Sequence, residues 1–319
     1  MIVTVTLNVA MDRTLVVPSF QLGHRHRASL GLSTAGGKGV NVGRALKSLG
    51  VPVVCTGLAG GRTGTRVVED LTEEGILNDF VRIHDESRVS IAVLDPIANA
   101  YTEINEWGPE VDDAELHMLR EKVVYLTQGA EFLVFAGSLP RGVDPGLYAE
   151  LIRDANRRHV LTVLDCEGEP LRLGVEAEPY LVSPNTREAE ALVGHEFNDD
   201  EDVVAGLEEI AELGARNVLI TVEDGCFAAL REERDEILLR GRTQRLEAVS
   251  EVGAGDTLLA GFIAARINGR SLEDSVRQAV AAGAASVLEA GPGRFDAREA
   301  GRLGSTVSVE RLERVAHGA

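Results

Sequence analysis

The feature that most limits how this chain can fold is an alternation of apolar strands and amphipathic helices that begins at residue 112. Strands rich in Val, Leu and Ile that are joined by helices belong to a parallel sheet covered on both faces. The predicted elements are helix 112–127, strand 131–136, helix 145–157, strand 160–165, strand 180–183, helix 186–193, helix 201–213, strand 217–222, a hairpin of 226–231 and 236–247, and helices 255–267 and 272–289. The sequence therefore predicts an α/β fold with a mostly parallel sheet.

The N-terminal part adds strands and a second, smaller sheet. Residues 2–8 and 51–58 read as buried strands, and a helix is expected near 63–74. Apolar residues alternate in two further stretches, about 12–34 and 87–105, which predict a small twisted sheet. Because no internal repeat or low-complexity linker separates these parts, we expect residues 1–319 to form a single domain whose small sheet acts as a lid.

The composition of the chain limits the kinds of molecule that it can bind. The chain has 319 residues, 44% of them hydrophobic, and a formal net charge of −19. That charge argues against general binding of nucleic acid or of anionic membranes, which requires clustered Lys and Arg. An anionic substrate would have to meet a local positive patch.

The cysteines and the N-terminus bear on the compartment. The three cysteines, Cys55, Cys166 and Cys226, show no metal-ligand spacing and are expected to be reduced core thiols. The N-terminus has no basic leader, and no apolar run is long enough to cross a bilayer. We expect a cytoplasmic protein that binds neither nucleic acid nor membranes.

The segment 249–262 contains the strongest functional signal. Gly253, Ala254 and Gly255 permit a tight turn, and an apolar helical run follows Asp256. Free N–H groups at a helix start bind anions. A carboxylate beside such a site suggests group transfer, although a turn with an N-capping aspartate would give the same local pattern.

Two other glycine clusters were compared with known phosphate-binding motifs. Gly36, Gly37 and Lys38 precede a helical pattern, but Gly39 stands where a P-loop requires Ser or Thr, so a P-loop is excluded. The cluster at 60–64 invites a dinucleotide-binding interpretation, but no acidic residue ends a second strand at the expected distance. We interpret that second cluster as structural.

Polar residues also follow three predicted strands. Ser138 follows the first and Asp165 ends the second, whereas Ser183, Asn185 and Glu188 follow the third. Alone, each would more often be a turn, cap or solvated residue. Ligands of doubly wound sheets bind where such strand ends meet, so we expect these residues to share one site.

Together these motifs resemble the ribokinase-like (PfkB) carbohydrate kinases over essentially the whole chain. They are similar, in particular, to the branch containing 1-phosphofructokinase and tagatose-6-phosphate kinase. The resemblance rests on Thr6-Leu7-Asn8, Ala35-Gly36-Gly37-Lys38-Gly39, Thr102-Glu103-Ile104-Asn105-Glu106, Ala136-Gly137-Ser138-Leu139-Pro140, Asn185-Thr186-Arg187-Glu188 and Val252-Gly253-Ala254-Gly255-Asp256. It implies a ribokinase-like three-layer sandwich with a mostly parallel central sheet and a small β lid, and dimerisation through the lids.

The resemblance also implies roles for individual residues. Asp256 would be the base, and Gly253, Ala254 and Gly255 would form the anion hole. The phosphosugar would be held by Asp12, Arg27, Gly36, Gly37, Lys38, Asn41, Arg88, Asn105 and Ser138. ATP would be bound by Ser183, Asn185, Thr221, Gly225, Gly253, Gly255 and Gly283, and Glu188 would organise Mg²⁺.

Two departures from the family pattern concern the nucleotide. Ser183 stands where the branch commonly has Lys, and Glu223 stands where it commonly has Gly. A lost positive charge and an added negative one should both weaken ATP binding.

The expected function is ATP-dependent phosphorylation of a phosphorylated ketohexose, namely fructose 1-phosphate, tagatose 6-phosphate or fructose 6-phosphate. Alternatives are a kinase of an unphosphorylated sugar or nucleoside, a dinucleotide-dependent oxidoreductase and a non-catalytic phosphosugar-binding protein. No glycine turn has the full context that the oxidoreductase requires.

Overall fold

The computed structural model describes residues 1–232 and 235–313. Its strands are β1 (Ile2–Thr6), β2 (Ala10–Val16), β3 (Leu30–Gly36), β4 (Val53–Gly60), β5 (Leu77–Asn78), β6 (Val81–Ile83), β7 (Arg88–Asp95), β8 (Ala100–Asn105), β9 (Phe132–Ala136), β10 (Leu161–Asp165), β11 (Leu181–Val182), β12 (Val218–Val222), β13 (Gly225–Glu232), β14 (Asp235–Arg242) and β15 (Ser308–Leu312). Its helices are α1 (Lys38–Ser48), α2 (Gly61–Glu73), α3 (Asp113–Thr127), α4 (Leu147–Arg157), α5 (Gly168–Val175), α6 (Thr186–Val193), α7 (Asp200–Glu212), α8 (Ala254–Ile267), α9 (Leu272–Ser286) and α10 (Ala297–Gly304).

The central sheet is mostly parallel. Its strand order is β15-β14-β13-β12-β11-β10-β9-β1-β4-β5, and β6 pairs with β4 outside this path. The pairs from β12 to β5 are parallel, whereas β13, β14 and β15 join as antiparallel strands. The predicted fold class is confirmed.

Helices cover both faces of this sheet because its strands are apolar on both sides. Within β9, Leu133 and Phe135 pack into the core beneath α3, α4, α5 and α7. Phe132 and Val134 point the opposite way, into the core formed with α1, α8 and α9. A period-two strand whose alternate side chains reach separate cores produces a three-layer arrangement.

A small sheet, defined here as β3-β2-β7-β8, lies apart from the central one. It arises from the two alternating stretches in the sequence, and its base packs on α2 through residues such as Met11, Val67 and Leu71. Its outer strands carry exposed apolar side chains: Leu30, Leu32, Tyr101 and Ile104. Just after β8 lies Trp107, the single tryptophan of the chain, with 87% of its surface exposed.

The helices and strands expected beyond residue 112 are present within a few residues of their predicted bounds. Three elements of this part of the chain were missed, α5, α10 and β15, and the short strands β5 and β6 were missed before it. The helices α5 and α10 have only eight residues each, which is shorter than the window of about 11–18 residues in which a helical period is recognised. The strand β15 is an edge strand whose pairing with β14 depends on the whole fold.

Two further observations concern the cysteines and membranes. Cys55, Cys166 and Cys226 are free and buried. Among the helices of the described residues, none has the length and apolar character that crossing a membrane requires.

Candidate active site

The carboxyl ends of the parallel strands open onto a cleft of about 370 Å³ between the central sheet and the small sheet. Since parallel strands end at the same edge, residues that follow β1, β10, β11 and β12 meet there. The helices α1, α6 and α8 also begin at this edge. The cleft is lined by Asp12, Gly37, Lys38, Asn41, Arg88, Ser90, Glu103, Asn105, Asp165, Ser183, Asn185, Glu188, Thr221, Val252, Gly253, Gly255 and Asp256.

Lys38, the first residue of α1, bridges two carboxylates in this cleft. Its Nζ lies 2.8 Å from Asp165 Oδ1 and 3.1 Å from Glu188 Oε1. Burial disfavours the charged amine, but the carboxylates of Asp165, Glu188 and Asp256 outweigh burial and raise the pKa of Lys38 above its usual range. Lys38 is therefore a permanent cation that ties α1 to the strand ends of the central sheet.

Asp256 lies in the first turn of α8 and is almost completely buried. Its Oδ2 accepts a hydrogen bond of 2.8 Å from Asn41 Nδ2. Burial, reinforced by the nearby Asp165, raises the pKa of Asp256 to about 7, while Lys38 and the Asn41 hydrogen bond act in the opposite direction. A carboxylate with this pKa can take up or release a proton near neutral pH.

The glycine turn before Asp256 presents its backbone to the cleft. Gly253 is the N-cap of α8 with φ of 78°, a conformation that favours glycine, and an added Cβ there would lie 2.8 Å from Pro292 Cβ. At Gly255, by contrast, no atom lies within 4 Å of the position of a Cβ. The turn is thus supported from behind by Pro292 and open in front, where the N-terminus of α8 can receive an anion.

A smaller cavity of about 140 Å³ adjoins the cleft and shares Gly37, Lys38 and Arg88 with it. Its other lining residues are Thr6, Asn8, Gly137, Ser138, Cys166 and Glu167. Asn8 donates to Ser138 Oγ at 3.0 Å, which holds the ends of β1 and β9 together.

Arg88 is the first residue of β7 and reaches into both cavities. Its guanidinium donates to the carbonyl of Asn8 at 3.3 Å, to Ser90 Oγ at 3.3 Å and to Asn105 Oδ1 at 3.4 Å. All three acceptors are neutral, and no ion pair of Arg88 occurs within residues 1–232 and 235–313. Arg88 therefore remains available to an anionic ligand.

The small sheet contributes acidic and amide groups as well. Burial raises the pKa of Asp12 to about 6, against the lowering effect of Arg88 and Arg44. Gly36 pairs with the start of β2, and a Cβ there would collide with the Asp12 carboxylate, so the glycine makes room for this acid. Asn105 lines the cleft and accepts a hydrogen bond from the Ser90 hydroxyl.

Asn185 and Glu188 form a capping box at the start of α6. The Glu188 backbone N–H donates to Asn185 Oδ1 at 3.0 Å, and the Asn185 N–H donates to Glu188 Oε2 at 2.9 Å. Burial raises the pKa of Glu188, and Lys38 lowers it in part. Ser183 and Thr221 line the cleft beside this helix start.

Four residues expected near the ligands lie elsewhere. Arg27 is in the exposed connection between β2 and β3. Gly225 begins β13, where a Cβ would strike the Gly241 carbonyl, and Gly283 is buried in α9, where a Cβ would lie 3.1 Å from Leu258 Cβ. Glu223 is 82% exposed at its side chain and lies 3.4 Å from Arg245. None of the four lines the two cavities formed by the described residues, and both glycines lie where a Cβ would be in close contact with neighbouring atoms.

Two residues of the cleft escaped the sequence analysis, Ser90 and Glu103. Each lies two positions from a predicted site residue on the same strand, Ser90 after Arg88 and Glu103 before Asn105. Because side chains alternate across a strand, residues i and i+2 share one face. Strand periodicity alone could have identified both.

Comparison with known proteins identifies the family to which the chain belongs. The model of the pfkB family carbohydrate kinases matches residues 2–298. The chain belongs to that family. A 1-phosphofructokinase of Borreliella burgdorferi is 34% identical over 290 residues, which cover 91% of this chain and 92% of the relative.

Two further members of the pfkB family illustrate the range of relatives. A tagatose-6-phosphate kinase of Staphylococcus epidermidis is 29% identical over 93% of this chain and 95% of its own length. The solved structure of phosphofructokinase-2 from Escherichia coli in complex with substrates and products superposes with a TM-score of 0.87 at 28% identity, covering 95% of this chain and 98% of that one. This chain is accordingly a carbohydrate kinase of the pfkB family.

Proposed function

We propose that this protein transfers the γ-phosphoryl group of ATP to a ketohexose that already carries one phosphate, producing a bisphosphate. Fructose 1-phosphate is the first candidate acceptor, because a 1-phosphofructokinase is 34% identical over 91% of the chain. Tagatose 6-phosphate and fructose 6-phosphate are the other candidates within the class.

The observation that carries this proposal is the position of Arg88. A phosphate bound in the smaller cavity would meet a guanidinium that has only neutral partners, beside the hydroxyl of Ser138 and close to Lys38. Arg binds phosphate through paired N–H groups, whereas a sugar hydroxyl makes one weaker hydrogen bond. The sugar would then extend into the cleft past Gly37, Asn41 and Asp12 towards Asp256.

Asp256 is proposed to act as the base. Its carboxylate takes the proton of the acceptor hydroxyl as that oxygen attacks the γ-phosphorus, and the bond to the β-phosphate oxygen breaks with release of ADP. The backbone N–H groups at the start of α8, at Gly253, Ala254 and Gly255, stabilise the negative charge of the transferred group. Positioning and electrostatics, rather than covalent chemistry, supply the rate.

The nucleotide is proposed to lie across the starts of α6 and α8, against Ser183, Asn185 and Thr221. Glu188 fits a magnesium ion, since its carboxylate lines this part of the cleft and Mg²⁺ is held by one or two carboxylates together with substrate phosphates. Such an ion would neutralise charge on the β- and γ-phosphates. Within the described residues no cluster of three or more His, Cys, Asp or Glu side chains is suited to a metal.

The small sheet is proposed to be a lid and a dimer interface in a cytoplasmic enzyme. Leu30 and Leu32 are 52% and 41% exposed on one outer strand, and Ile104 is 57% exposed on the other. The strand register places Leu30 and Leu32 on the face of the small sheet that carries Asp12, and Ile104 on the opposite face. Exposed neighbouring leucines such as Leu30 and Leu32 are typical of protein interfaces. Arg27 lies in the exposed connection between β2 and β3, where it would be available to the cleft of a partner subunit in such a dimer. Sedimentation equilibrium of wild type and Leu32→Asp tests the interface.

The deciding experiment measures ADP release with a panel of sugars and phosphosugars. We expect kcat/KM for at least one phosphorylated ketohexose to exceed that for fructose or ribose by about 100-fold or more, and Arg88→Ala to remove most of this difference. Arg13→Ala is the matched control, since Arg13 is an exposed arginine of the same sheet that does not line the cleft.

Other results would assign other functions. Equal turnover of free and phosphorylated sugars by the wild-type protein would favour a kinase of unphosphorylated sugars. Tight binding of a phosphosugar without ADP release would favour a non-catalytic binding protein.

A further inference from the structure

Arg44 is a buried arginine in the middle of α1 to which the sequence analysis gave no role. Its side chain is only 4% exposed, and all five of its N–H groups have acceptors. Two of them reach the Glu74 carboxylate, at 2.7 and 3.2 Å, and a third reaches the Ala35 carbonyl at 2.7 Å. The remaining two N–H groups, both on Nη1, donate to residues beside the cleft.

The first of these two contacts fixes the side chain of Asn41. Arg44 Nη1 donates to Asn41 Oδ1 at 3.3 Å, and Asn41 Nδ2 donates to Asp256 Oδ2 at 2.8 Å. An amide has one accepting and one donating end. Because the guanidinium can only donate, it holds the oxygen of Asn41 and leaves the NH₂ group facing Asp256.

The second contact fixes the loop behind the glycine turn. Arg44 Nη1 donates to the Pro292 carbonyl at 3.1 Å. Pro292 is the residue that a Cβ on Gly253 would strike, and the neighbouring Gly293 lies so close to α1 that a Cβ there would come within 2.5 Å of the Asn41 carbonyl oxygen. One guanidinium therefore sets both the partner of Asp256 and the support of Gly253.

We propose that Arg44 is a positioning residue for phosphoryl transfer, acting through Asn41 on Asp256 and through Pro292 on the glycine turn. The proposal rests on the proposed function, since it takes Asp256 as the base. Arg44 itself lines neither cavity. Its effect should fall on kcat rather than on substrate affinity, because the groups that it orients act in the transition state.

The alternative is a purely structural role through the buried ion pair with Glu74. Arg44→Lys separates the two, since a lysine keeps a cation for Glu74 but lacks the planar fork that reaches Asn41 and Pro292 together. We expect this variant to remain folded and to lose about tenfold or more in kcat, with KM for the phosphosugar changed by less than about threefold.

Glu74→Gln is the matched control. It removes the charge pair on the other side of the guanidinium and leaves the contact between Arg44 and Asn41 in place. We expect a lower melting temperature with kcat within about twofold of wild type. Equal losses of kcat in Glu74→Gln and Arg44→Lys would overturn the proposal.

A double-mutant cycle tests the route through Asn41. If Arg44 acts through this amide, adding Arg44→Lys to Asn41→Ala should lower kcat by much less than it does in the wild type. Additive effects would overturn the route. Should Arg44→Lys fail to fold, Asn41→Asp takes its place: it strengthens the pairing with Arg44 but removes the donor to Asp256, and unchanged kcat in that variant would also refute the proposal.

Crystal structures give a readout that does not depend on turnover. In Arg44→Lys we expect the distance from Asn41 Nδ2 to Asp256 Oδ2 to exceed hydrogen-bond range, whereas in Glu74→Gln it should stay near 2.8 Å. An unmoved Asn41 in the lysine variant would contradict the proposal. A wild type that turns over no phosphosugar would refute the proposed function instead, and the two failures are distinct.

Discussion

At the scale of single residues, the burial of Asp256 raises the pKa of its carboxyl at a cost in stability. The carboxylate is 6% exposed and lies in the field of Asp165, so its pKa is raised to about 7 from an ordinary 3.8. Sequence analysis names Asp256 as the candidate base beside the glycine turn, but the local pattern does not indicate the raised pKa of this carboxyl. Burial and the approach of Asp165, which is 91 positions away in the sequence, depend on tertiary structure, which no local pattern contains.

The raised pKa makes a prediction about stability. The folded state holds the proton of Asp256 more tightly than the unfolded state, so ionisation costs stability between the unfolded pKa near 3.8 and the folded value of about 7, and the full cost remains above that. We expect Asp256→Asn to raise the melting temperature, and to raise it more at pH 8 than at pH 5. Calorimetry at the two pH values checks this, and an equal or reversed shift would show that the acid is not destabilised.

The same substitution predicts a kinetic loss. Asn has the shape of Asp without the base, so Asp256→Asn should lower kcat by about 10²–10⁴-fold while leaving the Kd for the phosphosugar largely unchanged. In the wild type, kcat should rise with pH through about 7, where Asp256 becomes ionised. Near-normal kcat in the Asn variant would remove Asp256 from the mechanism.

The two departures from the family pattern, Ser183 and Glu223, lie in different surroundings. Ser183 is 5% exposed and lines the cleft, whereas Glu223 is exposed beside Arg245. Because solvent screens an exposed charge, Glu223→Gly should change KM for ATP by less than about twofold. Ser183→Lys should lower KM for ATP. Steady-state kinetics of the two single variants and of the double variant check this, and an unchanged KM in Ser183→Lys would mean that ATP does not bind beside Ser183.

At the scale of elements, the start of α8 combines a constrained glycine with an unconstrained one. Gly253 has φ of 78° and is backed by Pro292, whereas Gly255 faces open space. The sequence pattern gave both glycines the same role. The structure separates them, because only tertiary packing reveals what a Cβ would meet.

This difference predicts opposite outcomes for two similar substitutions. Gly253→Ala should lower the melting temperature, since the residue would need a left-handed backbone and would strike Pro292. Gly255→Val should keep the melting temperature near that of wild type and lower kcat more than it weakens sugar binding, because the side chain enters the anion site. A stable and fully active Gly255→Val would exclude a role of this turn in phosphoryl transfer.

The elements also show what the sequence could and could not predict. Long periodic segments such as α3 and α7, and apolar strands such as β9 and β10, carry their own signal and were placed within about two residues of their observed bounds. Residues at strand ends could be assigned to one site, since parallel strands bring their carboxyl ends together. Arg44 could not be found this way, because a mid-helix arginine normally lies in solvent and only Glu74, Ala35 and Pro292 show otherwise.

At the scale of the whole molecule, charge decides how substrates approach. The net charge is −19, and the cleft itself is lined by five carboxylates, Asp12, Glu103, Asp165, Glu188 and Asp256, against two cations, Lys38 and Arg88. The expected positive patch is therefore confined to the end of the cleft beside the smaller cavity. An anionic sugar must reach it through a field of its own sign.

Added salt should therefore increase the rate at which an anionic sugar binds to the enzyme. Screening shortens the range of repulsion to about 10 Å at 0.1 M ionic strength. Raising tetramethylammonium chloride from about 10 to 100 mM should therefore increase kcat/KM for the phosphosugar about two- to threefold, with little effect on a neutral sugar. A decrease over this range would mean that the local contacts of Arg88 and Lys38 dominate the approach as well as the binding.

The exposed Trp107 is a fluorescent probe at the edge of the smaller cavity. Its neighbour Gly108 packs so closely on Asn8, a wall residue of the smaller cavity, that no Cβ would fit between them. The indole is the chain's only one, so its emission reports on this place alone. Binding of a phosphosugar in the cavity, or burial of Trp107 by a second subunit, would shift the emission to shorter wavelength and protect the indole from quenching by acrylamide. Titrations at low and high protein concentration would distinguish ligand binding from dimerisation.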